Sequence, residues 1–172
     1  DMSLATMEVS YMKGLMDKPE EFTTLASFYL YKKNPAMSAK VLEKAITNED
    51  IDFDNTNAKL LADSWLFAKE RLKSLNVIGR SLNNDPEDAK LIKQYINIAF
   101  SAFEWDEVIK GINKANEAGL KDDGKFALMK GIAYFEKNSI MNAKNSFIQA
   151  SNSEEYKDQG IAWLEYLEAL NG

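Results

Sequence analysis

The chain repeats itself with a period near 35 residues, which leaves few architectures open to it. Small or apolar pairs stand at Leu25-Ala26, Leu61-Ala62, Tyr95-Ile96 and Lys130-Gly131, spaced 36, 34 and 35 residues apart. Three places on come Tyr29, Trp65, Ala99 and Tyr134; twelve places on come Ser38, Ser74, Val108 and Ala143. Leu42, Ile78, Ile112 and Phe147 follow in the same register, then Ala45, Ser81, Ala115 and Ala150. The register also runs backwards through Ser3, Met7 and Ser10, the second half of an earlier unit. Inside a unit the apolar residues recur every three or four places, as in Phe22, Leu25, Ala26 and Tyr29, or Ile92, Tyr95, Ile96, Ala99 and Phe100. That is amphipathic-helix spacing. Pro19, Pro35 and Pro86 fall where the periodicity breaks, and no stretch of strict alternation calls for a strand. Each unit therefore reads as two antiparallel helices that cross where side chains are small, with Tyr29, Trp65, Tyr134, Leu42 and Phe147 filling the space beside the crossings. One such pair cannot bury its own apolar face, so neighbours stack.

Composition narrows the chemistry. The 172 residues contain no cysteine and no histidine. Disulfides, Cys/His zinc sites, thiol nucleophiles and histidine-based triads are thereby excluded. Oxygen ligands are left for any metal, and carboxylate, Lys or Tyr for any proton transfer. Lysine and arginine number 21 against 27 acids, a net charge of −6, and Arg71 and Arg80 are the arginines. Nucleic-acid and phosphate surfaces call for a basic face rich in Arg forks, so those partners are not expected. No apolar run approaches the roughly 20 residues that span a bilayer, so no membrane insertion is expected. The chain starts at Asp1 directly in a helical pattern, which reads as a cut fragment or a mature product.

Two features imitate reactive or metal sites, and each has a plainer reading. The segment Asn48 to Asn55 alternates Asp50, Asp52 and Asp54 as a calcium loop does, but Asn55 stands where such a loop needs Gly and Leu61 where it needs Glu. The plainer reading is a solvated loop whose Asn or Asp caps the next helix. The paired carboxylates Glu20-Glu21, Glu87-Asp88, Asp122-Asp123 and Glu154-Glu155 fall at expected helix starts, where acids complement the helix dipole. With no GxGxxG, P-loop or GxSxG motif, the chain is not expected to be an enzyme, and no cofactor or metal is assigned to it.

In this register the sequence resembles the tetratricopeptide repeat (TPR) family, whose consensus sets W-x2-L-G-x2-Y in the first helix and A-x3-F-x2-A in the second. Gly131, Tyr134, Ala143, Phe147 and Ala150 of the last complete unit match it best, and Leu61, Ala62, Trp65 and Pro86 serve in the second. The third unit departs most, with Ile96 and Val108 where small residues are usual, so its crossing is expected to be wider or rotated. The resemblance implies an all-α right-handed superhelix of about ten helices. Its parts are an orphan second helix over 2–16, helix pairs over 19–50, 55–86, 87–120 and 122–153, and a capping helix over 154–170 that is amphipathic through Ile161, Trp163, Leu164 and Leu167. The orphan helix is expected to expose an apolar face and to support some self-association. The runs Leu4-Ala5-Thr6-Met7, Tyr11-Met12-Lys13-Gly14 and Trp163 to Glu168 further resemble the periplasmic TPR proteins associated with TonB–ExbB–ExbD systems of marine gamma-proteobacteria. That likeness implies the C-terminal part of a longer array in the periplasm, with an accessory role in TonB-dependent uptake and a TonB-complex component as partner.

In that family the inner face is lined by the second, fifth, ninth and twelfth places of each first helix. Here these are Glu20, Thr23, Ser27 and Leu30; Thr56, Lys59, Asp63 and Leu66; Lys90, Lys93, Asn97 and Phe100; and Lys125, Leu128, Ile132 and Phe135. With Phe67, they would offer a protein or peptide partner a groove with an apolar ladder, Leu30–Leu66–Phe100–Phe135, and a basic patch at Lys90, Lys93 and Lys125. Packing against the next unit is the competing reading of the twelfth-place residues, while Phe67, Phe100 and Phe135 are expected to be partly exposed. Lys93 and Asn97 match part of a carboxylate clamp, but Met129 stands where its Asn belongs, so recognition of a chain terminus is not expected. The functional expectation is a non-catalytic interaction scaffold. The alternative is an envelope assembly factor or a peptide-responsive TPR regulator using the same groove.

Overall fold

A computed structural model describes residues 4–121 and 124–171, and among these residues it contains ten α-helices and no strand. Met2, Ser3, Asp122 and Asp123, used in the sequence reading, lie outside the described residues. The helices are α1 (Leu4–Met12), α2 (Pro19–Tyr31), α3 (Pro35–Thr47), α4 (Asn55–Phe67), α5 (Arg71–Asn84), α6 (Ala89–Ser101), α7 (Trp105–Glu117), α8 (Lys125–Glu136), α9 (Ile140–Ser151) and α10 (Lys157–Asn171). They fall into two compact units, Asp1–Asn84 with α1 to α5 and Asp85–Gly172 with α6 to α10. Within each unit every helix packs on the next across a short connection, which makes neighbours antiparallel.

The starts and stops have local causes. Pro19 and Pro35 open α2 and α3 at the first helical position, where a missing N–H costs nothing. The Asn34 side chain accepts from the Met37 N–H, Asp54 caps α4 by accepting from Asn57 N–H at 2.7 Å, and Asp88 caps α6 through Lys90 and Leu91. The turn inside each helix pair carries one left-handed residue: Lys33, Lys69, Phe103 and Asn138, with φ of 58°, 64°, 61° and 56°. These four repeat at the period of the sequence, so the turn geometry is part of the repeat.

The register read from the sequence is the core. Ser38, Ser74, Val108 and Ala143 are fully buried, as are Leu42, Ile78 and Phe147, and Ile112 is buried as well. Buried hydroxyls need partners. Ser38 Oγ and Ser64 Oγ share a hydrogen bond of 2.9 Å, and Ser74 Oγ donates to the Ala62 carbonyl at 2.8 Å. Small residues permit the close crossings: a Cβ on Gly131 would lie 2.4 Å from the Phe147 ring, and one on Gly160 only 2.5 Å from the Ser151 backbone nitrogen.

Three details differ from the expectation. The last helix begins at Lys157, leaving Glu154 and Glu155 in the connection, where the Tyr156 N–H donates to Ser153 Oγ. Its inner face comprises Gly160, Trp163, Leu164 and Leu167, while Ile161 is turned outward. The first helix stops at Met12, closed by Gly14 with φ of 66°, rather than continuing to residue 16. In the third pair, Ile96 and Val108 are fully buried, and α7 makes room with Gly111, whose Cβ would lie 2.8 Å from Ile96 Cγ1. The bulk on α6 is matched by a deletion of bulk on α7.

Candidate partner-binding faces

In unit 2, α6 presents a single stripe to solvent. Lys90, Lys93 and Asn97 are exposed and Phe100 is half-buried, a spacing of three, four and three that keeps them on one face. Behind that stripe, Leu91, Ile92, Tyr95, Ile96, Ile98 and Ala99 are buried. Lys125 Nζ, at the start of α8, donates to Asn97 Oδ1 at 3.3 Å, so α6 and α8 meet at this point. Phe100 abuts Trp105 edge-on at 5.7 Å, and Trp105 in turn abuts Phe103, which is 70% exposed.

The other α8 residues of the expected groove do something else. Leu128, Ile132 and Phe135 are partly buried and pack on the cluster of Ala143, Phe147 and Leu167 together with Trp163 and Leu164. The Phe135 ring lies 5.3 Å from Trp163 and 5.8 Å from Tyr166. Trp163 stacks on Phe147 at 5.0 Å with the planes only 9° apart. The competing reading of the twelfth place, packing on the following helix, therefore describes Phe135. Met129 is buried, so the missing Asn of a carboxylate clamp is a core residue.

The α6–α7 pair is pinned by a polar contact next to the stripe. Tyr95 Oη donates to Glu107 Oε2, and Lys110 Nζ approaches the same carboxylate at 3.2 Å. Burial first, and then this bond, pushes the Tyr95 phenol up; accepting from Tyr95 and pairing with Lys110 hold Glu107 below the usual carboxylate value, against the effect of its burial.

In unit 1 the inner-face residues are largely satisfied within their own helices. Thr23 Oγ1 donates to the Glu20 carbonyl, Ser27 Oγ donates to the Thr23 carbonyl, and Lys59 pairs with Asp63 at 2.6 Å. Leu30 and Leu66 are half-buried, and Phe67 is 67% exposed. The acidic 48–55 loop is organised by packing: Ile51 is buried, and the Arg80 guanidinium lies 4.1 Å from the centroid of the Phe53 ring. Among the described residues no group of three or more carboxylates could hold a metal ion. A cleft of about 240 Å³ between Tyr11, Met16, Phe22, Lys44, Asn48 and Asp50 is smaller than the roughly 300–1,000 Å³ typical of ligand sites. No helix is long and apolar enough to cross a membrane among the described residues.

Solved structures of the same build exist. A crystal structure of MamA superposes with a TM-score of 0.62 and 18% identity, covering 91% of this chain and 89% of that one. The fold is TPR-like. A second MamA structure, from MSR-1, gives 0.64 and 17% identity over 86% of this chain and 82% of that one. MamA residues 41 to the end from Desulfovibrio magneticus RS-1 give 0.66 and 11% identity over 91% and 86%. At these identities the likeness is one of TPR-like fold. No protein-family model matches the chain, and no curated protein matches it.

Proposed function

We propose that this chain is a non-catalytic protein–protein interaction scaffold that presents the α6 stripe to a protein or peptide partner. The observation that carries this reading is the stripe itself. Lys90, Lys93 and Asn97 are exposed on a helix whose opposite face is locked in the core, and Asn97 is tied to Lys125 of the next pair. A rigid helix presenting cations beside a half-buried Phe100 suits an extended or helical segment with carboxylates and an apolar anchor. A photo-cross-linking residue at Asn97 should capture one partner in cells, whereas the same residue at Lys144, exposed on α9, should not. Identical adducts from both positions would defeat the assignment.

The finer reading places that partner in a TonB-type envelope complex and the chain in the periplasm. Its support is the resemblance carried by residues 4–7, 11–14 and 163–168. Met7, Trp163, Leu164 and Leu167 of those runs have packing roles, which leaves the exposed members to carry any recognition. Fractionation of cells producing the full gene product, followed by co-purification with a tagged TonB component, tests both parts. Self-association through α1 belongs to the same reading: Val9 is 50% exposed, Met12 82% and Leu15, just beyond the helix, 67%. A Met12→Lys/Leu15→Lys variant should lose any concentration-dependent gain in mass that this face supports.

A further inference from the structure

We propose that two copies of this chain also dock through charge-complementary helix-turn ends, the basic end of unit 1 seating on the acidic end of unit 2 of a second copy. In unit 1, antiparallel packing puts the α2–α3 and α4–α5 turns at the same end. There Tyr31 is 79% exposed, Phe67 67% and Leu72 56%. Exposed Lys32, Lys33, Lys69, Arg71 and Lys73 surround them, against Glu70 and Glu8, the latter held by the Tyr29 hydroxyl. None of Lys32, Lys33, Lys69 and Arg71 is ion-paired among the described residues. In unit 2 the α6–α7 and α8–α9 turns share an end by the same argument. Phe103 and Met141 are exposed there, 70% and 73%, within a rim of Glu104, Asp106 and Glu136. Lys137 pairs there with Asp106 at 2.8 Å and cancels its charge, so half-buried Glu104 and exposed Glu136 give the rim its net negative charge.

Exposed apolar clusters mark interaction sites, and complementary charged rims give a docking pair its orientation and its rate. A cationic aromatic cluster alone would suit any acidic segment. An acidic, apolar end of matching character on the same chain selects a second copy, because every molecule then carries both halves of the contact.

Sedimentation of the full chain tests this in the Met12→Lys/Leu15→Lys background, which removes the α1 face. Lys33→Glu/Lys69→Glu/Arg71→Glu reverses the basic end, and Glu104→Lys/Glu136→Lys reverses the acidic one. Each variant alone should associate at least ~10-fold more weakly, and an equimolar mixture should recover the lost mass, since opposite rims then meet between unlike chains. Raising salt from about 0.05 to 0.5 M should weaken the unreversed protein as screening shortens the reach of the rim charges. Lys33→Asn/Lys69→Asn removes charge while suiting the left-handed turns, and should weaken association even if the reversals disturb the fold. A monomer at every concentration, association indifferent to both reversals, or a mixture no heavier than its components overturns the proposal. So does capture of a synthetic Glu- and Leu-rich peptide at the unit 1 end by a chain that never self-associates.

Discussion

At the scale of single residues, the crossings and one buried polar pair carry the sharpest consequences. Gly131→Ala would regain about 1 kcal/mol of helix propensity but overpack a fully buried Phe147 ring that is also stacked on Trp163. Overpacking costs about 1–3 kcal/mol, so the variant should lose up to about 2 kcal/mol in urea unfolding with helicity retained. Gly160→Ala should cost more, because its neighbour is the Ser151 backbone and backbone cannot rotate aside. Gly131 was legible in the repeat register. Gly160 was not, since it lies outside that register and its role depends on how closely α10 approaches α9. Glu107 gives a pH dependence. Its folded pKa is depressed, so its stabilising effect is complete above the unfolded carboxylate pKa and is lost as pH falls through the lower folded value. Glu107→Gln should therefore flatten the acid side of the stability profile measured by denaturant midpoints. Tyr29 works at the other extreme, pushed up to about 12 by burial and by its hydrogen bond to Glu8. Stability should fall as pH rises from about 10 towards 12, and Tyr29→Phe should remove that limb.

At the scale of elements, ends and turns decide most. Asp54→Ala leaves the α4 amino end uncapped and should cost about 1 kcal/mol, read as a lowered unfolding midpoint. Lys69→Gly should stabilise by up to about 1 kcal/mol, because Lys69 sits at φ of 64°, where a side chain is strained. The starts at Pro19 and Pro35 were visible in the sequence because proline suits only the first turn. Glu154-Glu155 imitates a first helical turn, so the sequence alone points to a start for α10 three residues too early. Ser153, which takes the Tyr156 N–H, moves the start to Lys157. The third pair shows the same limit: Ile96 alone forecasts a wide crossing, and only its contact with Gly111 shows how α7 accommodates it.

At the scale of the molecule, stability should be graded along the chain, as expected when helices bury area only against neighbours. In α1 only Met7 is buried, whereas α3 buries five residues. Amide exchange of α1 should thus run at least ~10-fold faster than that of α3, measured by mass spectrometry of the intact chain. By itself, the sequence determined the helical class, the repeat register and the buried residues of that register, because a period of 34 to 36 residues of alternately small and bulky side chains has few ways to pack. The tertiary structure alone decided which inner-face residues remain open. Asn97 meets Lys125 in the open, whereas Phe135 is held against Trp163 and Tyr166, although both stand at inner-face places of a repeat. The physical reason is that exposure belongs to a side chain together with whatever helix comes next. A repeat states the first of these and leaves the second to packing.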